Sequence, residues 1–115
     1  MARTPKNLLN GTLPSAEAAI TVVNGANAVP SAKNWQAKVV VYNTGASART
    51  VTVGYHPTDA TIVAGEFLLS AESLASKERR EFGIRFYPAG YTFRGSQGTA
   101  DADIQVEIHG EEVDV

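Results

Sequence analysis

The chain contains no cysteine, and it has no excess of positive charge. Without a cysteine among its 115 residues, it can form no disulfide framework and use no thiol chemistry, which fits assembly in a reducing cytoplasm. Ten basic residues stand against twelve acidic ones and give a net charge of −2. A basic stripe that could follow nucleic-acid phosphates is therefore missing, and we expect no nucleic acid among its partners.

Long apolar runs are also missing. The first seven residues are polar and basic, and only Leu8 and Leu9 follow them before an Asn-Gly turn, whereas a signal peptide needs an apolar stretch of about 7–15 residues. No run approaches the roughly 20 apolar residues of a membrane span. We therefore expect neither a secretion signal nor a membrane partner. The length predicts one domain over residues 1–115, because a domain typically holds roughly 100–200 residues.

What the chain does have is alternation of apolar and polar side chains, which is typical of half-buried strands because successive side chains point to opposite faces. The clearest runs are residues 35–42 and 50–55, and the Gly-containing turn between them predicts a hairpin. Further strands are predicted at residues 18–22, 82–87, 91–93 and 104–109, with weaker candidates at 8–9 and 66–69. About seven or eight short antiparallel strands predict an all-β fold, a single jelly-roll-like β-sandwich, with an Ig-like sandwich or an open barrel as alternatives.

Residues 71–81 (AESLASKERRE) lack the pattern of their neighbours. Leu74 is their one large apolar side chain, so a helix here would have no stripe to bury, and we expect an exposed loop. The mixed-charge run inside it is either a solvated loop or the rim of a protein contact. We take this run as a candidate interface loop: Lys77, Glu78, Arg79, Arg80 and Glu81.

The residues of catalytic and metal sites are sparse. A metal enzyme on a sandwich needs several histidines and a carboxylate around one ion, but His56 and His109 lie at separate strand ends. Asp101 and Asp103 lack the further oxygen ligands that Ca²⁺ requires. Neither a Gly-x-Ser-x-Gly elbow nor a phosphate-binding glycine loop occurs. We therefore predict no catalytic residue, no metal, no cofactor and no enzyme activity.

The aromatic residues allow two interpretations. Trp35 is in phase with Ala37 and Val39 on its strand, which favours a place in the core over a platform for stacking sugars. Near the end of the chain, Phe82, Ile84 and Phe86 alternate with Gly83, Arg85 and Tyr87. A sugar platform stays open as an alternative, because four tyrosines could build it with the tryptophan: Tyr42, Tyr55, Tyr87 and Tyr91.

Both ends of the sequence are mostly polar, so neither is expected to be buried in the protein's own core. We predict an extended N-terminal arm at residues 1–9 and an acidic tail at residues 110–115, and we expect partner subunits to hold them. The candidate partner-binding arm consists of Ala2, Arg3, Thr4, Pro5, Lys6, Asn7, Leu8 and Leu9.

Several of these motifs resemble a known group of proteins. Residues 8–14 (LLNGTLP) are similar to the opening of short structural proteins encoded beside the capsid and tail genes of tailed bacteriophages. Residues 39–53 (VVVYNTGASARTVTV) resemble their strand, Asn-Thr-Gly-Ala turn and following strand. Shorter matches follow at residues 64–66, 88–90, 93–95 and 106–112, while residues 24–34 and 69–80 depart from the pattern. The resemblance covers most of the chain, through turns and strand patterns.

The resemblance implies a virion component without enzymatic activity, made in the cytoplasm of the host bacterium. Three hypotheses follow. The favoured one is a decoration or cement protein at the capsid surface, bound to the major capsid protein and to copies of itself as a homotrimer. The second is a head–tail or tail-associated ring protein, and the third is a carbohydrate-binding or fibre module that contacts a host glycan.

Overall fold

The alternating segments of the sequence fold as strands. A computed structural model describes residues 6–57, 66–98 and 103–114, and no helix of this part of the chain could cross a membrane. The described strands are β1 (Lys6–Thr12), β2 (Ala18–Ala19), β3 (Thr21–Gly25), β4 (Lys33–Asn43), β5 (Arg49–His56), β6 (Phe67–Leu74), β7 (Arg79–Glu81), β8 (Arg85–Tyr87), β9 (Thr92–Ser96) and β10 (Ile104–Asp114).

Two antiparallel sheets hold these strands. The larger sheet has the order β3-β1-β10-β4-β7, and β8 also pairs with β4. The smaller sheet has the order β2-β9-β5-β6. The predicted all-β sandwich is confirmed. The described residues contain more strands than predicted because β2 and β3 are separate, as are β7 and β8.

The core lies between the inner faces of the two sheets. Its centre is aromatic: the rings of Trp35 and Phe93 stack with their centroids 5.8 Å apart, and Tyr87 meets Phe93 edge-on at 4.9 Å. Inward side chains of β10 complete it, namely Ile104, Val106 and Ile108. Trp35 is 1% exposed, so the core interpretation of this tryptophan is confirmed.

The hairpin predicted from residues 35–55 is wrong. Both strands exist, but β4 belongs to the larger sheet and β5 to the smaller one. The connection crosses the sandwich around Asn43, whose side chain is buried. Its Nδ2 donates hydrogen bonds to the carbonyl oxygens of Ser47 at 2.9 Å and Leu74 at 3.0 Å, and its Oδ1 accepts one from the Gly45 amide at 2.9 Å. These bonds hold the chain in an arch between the sheets.

The loop predicted at residues 71–81 is also largely wrong. The end of β6 and all of β7 fall within it, and only a short turn separates these strands. The pairing of β5 with β6 shifts register between Val51 and Val53, and Ala71 in this stretch has a positive φ of 50°. Such a bulge interrupts the alternation, which explains why the sequence pattern failed to show the strand. Leu74 then returns to the core.

The polar ends of the sequence lie in the larger sheet. Lys6–Thr12 forms β1, between β3 and β10, and Leu8 and Leu9 are core residues. The predicted arm at residues 1–9 therefore differs from the structure at Lys6, Asn7, Leu8 and Leu9. Ala2, Arg3, Thr4 and Pro5 lie outside the described residues. Most of the predicted tail belongs to β10, where Gly110 lies opposite Ala37 and Asp114 opposite Lys33. Main-chain pairing, which composition does not reveal, accounts for both differences.

Candidate protein-binding surface

Large apolar side chains are exposed at both edges of the larger sheet. Val23 on β3 is 72% exposed, with Val22 beside it at 37%. At the opposite edge, Ile84 is 77% exposed and Phe86 56%. Single exposed apolar residues are common on protein surfaces, but here they occur in pairs, at the two edges of one sheet. Paired apolar side chains at a sheet edge suit a contact with another protein.

The first edge is formed by β3 (TVVNG), whose five residues are all exposed. In the described part of the chain, it pairs with β1 alone. The two strands approach closely: a Cβ at Gly11 would lie 2.4 Å from the Thr21 carbonyl oxygen. Gly25 has a φ of +87°, and a Cβ there would lie 2.2 Å from the Leu8 carbonyl oxygen. The strand is thus held along one edge by two glycine contacts, and neither of its faces is packed.

The second edge is formed by β7 and β8, which both pair with β4. Between them, the chain bulges at Gly83 and Ile84; a Cβ added to Gly83 would have no atom within 4 Å. Beyond the bulge, Phe86 lies opposite Gln36 and is exposed, while Tyr87 is buried in the core. The sequence alternation had placed Phe86 and Ile84 in phase with Phe82. The bulge changes that phase, so that Tyr87 turns inward instead.

The candidate interface loop is a turn followed by a strand. Lys77 and Glu78 end the turn, where Lys77 has a φ of 63°; Arg79, Arg80 and Glu81 form β7. The Glu78 carboxylate accepts hydrogen bonds from the Ala75 amide at 2.9 Å and from Arg80 Nε at 2.6 Å. These two donors hold the pKa of Glu78 below its usual value.

Other charges of this run also have partners within the chain. Glu81 lies 3.5 Å from Lys38 Nζ, and Lys77 Nζ donates to the Thr44 carbonyl oxygen. The run is therefore part of the fold's own hydrogen bonding, and its contact with a partner stays a prediction. The same holds for the arm residues Ala2, Arg3, Thr4 and Pro5.

A small pocket opens at one end of the sandwich. It has a volume of about 170 Å³, and its lining includes Leu8, Pro30, Trp35 and Glu112. Trp35 Nε1 donates a hydrogen bond to Glu112 Oε2 at 3.0 Å. Binding sites for small molecules usually measure about 300–1,000 Å³, so this pocket has room for little more than one side chain.

The opposite end of the sandwich is closed by Asp103. Its carbonyl oxygen accepts hydrogen bonds from the Thr44 amide and hydroxyl, both at 2.8 Å, and its carboxylate lies 3.0 Å from Arg49 Nη2. A solvated carboxylate was expected at this position. The arginine holds it in an ion pair instead, while Asp101 lies outside the described residues.

The histidines and tyrosines have structural surroundings. His109 Nε2 lies 3.5 Å from Glu107, and no three metal-binding side chains meet anywhere in residues 6–57, 66–98 and 103–114. Tyr87 is buried with its hydroxyl lacking a hydrogen-bond partner, and burial raises its pKa to about 12. Tyr55 and Tyr91 pack against the core. The sugar platform proposed from these tyrosines and Trp35 is therefore not formed.

The comparisons with known proteins give one structural similarity. No family model matches the chain, and no curated protein matches it. A solved structure of the tobacco streak virus coat protein is similar in fold, with 12% sequence identity and a TM-score of 0.45, over 99% of this chain and 84% of that chain. A similarity of this size assigns the chain to no family.

The sequence pattern did not reveal the exposed edge residues. One signal was present: Val22 and Val23 are adjacent, so on a strand both cannot point to the same core. Gly83 was the second signal, because a glycine inside a strand pattern often marks a bulge. Both signals show where alternation fails, and each lies at an edge of the larger sheet.

Proposed function

We propose that this protein is a non-enzymatic structural protein of a tailed-bacteriophage virion. In this proposal it decorates the capsid surface, where it binds the major capsid protein and copies of itself as a homotrimer. The area buried on docking stabilises the assembled shell by mass action. The protein is made in the cytoplasm of the host bacterium before it joins the particle.

The order of the strands supports a jelly roll as the architecture. When β2 and β3 count as one strand, and β7 and β8 as another, the larger sheet has the order 1-8-3-6 and the smaller sheet 2-7-4-5. This is the arrangement of eight strands in two Greek keys, an architecture that viral capsid proteins and lectins use. It is compatible with the favoured hypothesis and also with the host-binding one.

The motifs that resemble phage structural proteins lie where the backbone is most constrained. Gly11, in the first motif, lets β1 approach β3, as described above. Gly45, in the second motif, lies at the arch, and a Cβ there would meet Asp103 Oδ2 at 2.4 Å. A shared motif at such positions supports a shared fold, because other residues would displace the neighbouring strand or side chain.

The observation that carries the proposal is the exposure of paired apolar side chains at the two edges of one sheet. A protein of this size gains nothing in its own stability from exposing Val23, Ile84 and Phe86 to water. Covering them with a neighbouring protein releases that cost, at about 25 cal/mol per Å² of apolar area. Two separate surfaces suit a protein with two kinds of neighbour, a shell and another copy of itself.

The experiment adds purified protein to mature shells that lack it and measures co-sedimentation and the heat stability of the shells. We expect saturable binding and a higher disruption temperature. A double variant, Ile84→Ser with Phe86→Ser, should weaken binding, whereas Thr50→Ser, an exposed position on β5 in the smaller sheet, should not. If the wild-type protein does not bind to shells, the decoration hypothesis is wrong.

A deletion tests the arm separately. Removing Ala2, Arg3, Thr4 and Pro5 spares β1, which begins at Lys6, so the fold should be kept. If these residues anchor the protein, the deletion abolishes shell binding while the urea unfolding midpoint stays unchanged. Undiminished binding would exclude the arm as the anchor and leave the sheet edges as the contact.

A further inference from the structure

An edge strand leaves one row of main-chain N–H and C=O groups unpaired, and proteins usually guard such rows against further pairing. Three of the sheet edges in the described residues are guarded. β2 has two residues only. β6 contains the bulge near Ala71 and the charge of Glu72. The β7–β8 edge carries charged side chains and is interrupted by the bulge at Gly83.

The strand β3 has none of these protections. Its five residues, Thr21–Gly25, include no charge and no proline. It ends the order of the larger sheet, and Val23 is its most exposed large apolar side chain. The register shift in its pairing with β1 lies between Asn10 and Gly11, on the inner partner. An unguarded, neutral and exposed strand of this kind is able to accept another strand.

We propose that β3 is a self-association site, at which β3 of one molecule pairs antiparallel with β3 of a second copy. The pairing joins two larger sheets into one continuous sheet across a two-fold axis. A strand is the required occupant because main-chain groups need partners along the whole edge. A second copy of β3 fits best: it has the same length, and its neutral residues place no like charges opposite each other. The other edges of a second copy offer charges or bulges.

The size of the contact sets its strength. Five residues a side bury less than the roughly 1,200 Å² of a stable interface, so the pair is weak between free molecules. It becomes populated where copies are held side by side, because a high effective concentration replaces intrinsic affinity. The contact is two-fold, so it joins one proposed trimer to the next rather than forming the trimer. It rests on β3 alone and does not depend on the proposed function.

The absence of cysteine makes a cross-linking test possible. We would make Val22→Cys, Val23→Cys and Asn24→Cys separately, with Ile84→Cys as a control of similar exposure on the opposite edge. Residues opposite each other in antiparallel strands have Cα atoms about 4.5–5.5 Å apart, within the range of about 4.4–6.8 Å that a disulfide spans. We expect one of the β3 variants to form covalent dimers at least about tenfold faster than Ile84→Cys under mild oxidation.

A second substitution checks that pairing causes the cross-link. A lysine at Val22 or Val23, whichever is not the cross-linked position, guards the edge and should slow dimer formation to the rate of the control. Cross-linking no faster than Ile84→Cys at all three positions would overturn the proposal. So would a lysine variant that cross-links at an unchanged rate. A failure here leaves shell binding intact, and a failure of shell binding leaves the cross-link intact, so the two proposals fail separately.

Discussion

Replacing Asn43 by alanine should be among the most damaging single substitutions of a polar residue in this protein. The buried amide makes three hydrogen bonds, which join the arch between β4 and β5 to the last residue of β6. Each such bond contributes about 0.5–1.5 kcal/mol, and a buried group left without a partner costs about 1–3 kcal/mol. The Leu74 carbonyl and the Gly45 amide lose their partner, whereas Ser47 is exposed and its carbonyl can turn to water. We expect a loss of about 3 kcal/mol.

Urea unfolding, followed by tryptophan fluorescence, measures this loss directly. Trp35 lies in the core and reports its opening. The unfolding midpoint should fall while the slope stays the same, because the variant keeps the native surface. A loss of about 3 kcal/mol is a large part of the roughly 5–15 kcal/mol that stabilises a domain, and it should lower Tm by about 10 °C.

The matched control is Asn24→Ala on β3. Asn24 is exposed, so its replacement should change stability by less than about 0.5 kcal/mol. If Asn43→Ala cost no more than Asn24→Ala, the arch would be held by something other than this amide. The account of why β4 and β5 separate into two sheets would then be refuted.

Two further predictions concern a buried hydroxyl and a tight glycine. The Tyr87 pKa is raised by burial to about 12, so the unfolded chain loses this proton from about pH 10 while the fold keeps it; stability should fall as pH rises from 10 to 12, and Tyr87→Phe should remove that part of the alkaline loss in urea titrations at several pH values, yet change little at neutral pH. Gly45→Ala should cost about 1–3 kcal/mol, because its Cβ would displace the Asp103 carboxylate from Arg49, whereas Gly83→Ala, with open space around it, should cost almost nothing; equal costs in thermal unfolding would contradict the close approach at Gly45.

The strands could be predicted from the sequence, but their partners could not. Alternation reports that one face of a segment is buried, and β4, β5 and β10 satisfy it. It contains no information about which strand lies alongside. The segment at residues 43–47 has the composition of a hairpin turn, yet the buried Asn43 side chain turns it into an arch. A buried asparagine between two apolar strands is a signal of this kind, since its amide needs several partners.

The candidate site was harder to predict for the same physical reason. An exposed edge is defined by the absence of a neighbouring strand, which only the strand order shows. Composition alone indicated that residues 6–9 and 110–114 were free ends, because polar side chains are compatible with main-chain pairing in a sheet. Leu8 and Leu9 were the contrary signal, since adjacent leucines at a β-bulge can both be buried, and the pairing of β1 with β10 shifts register there.

The copy number of the protein in purified phage particles tests the central claim most directly. Quantitative mass spectrometry of the particles, calibrated against the major capsid protein, gives this number. A decoration protein on the shell should be present in on the order of hundreds of copies, as the symmetry of a shell requires. Roughly six or twelve copies would assign it to a ring in the neck or tail, and its absence from the particles would contradict the proposed function altogether.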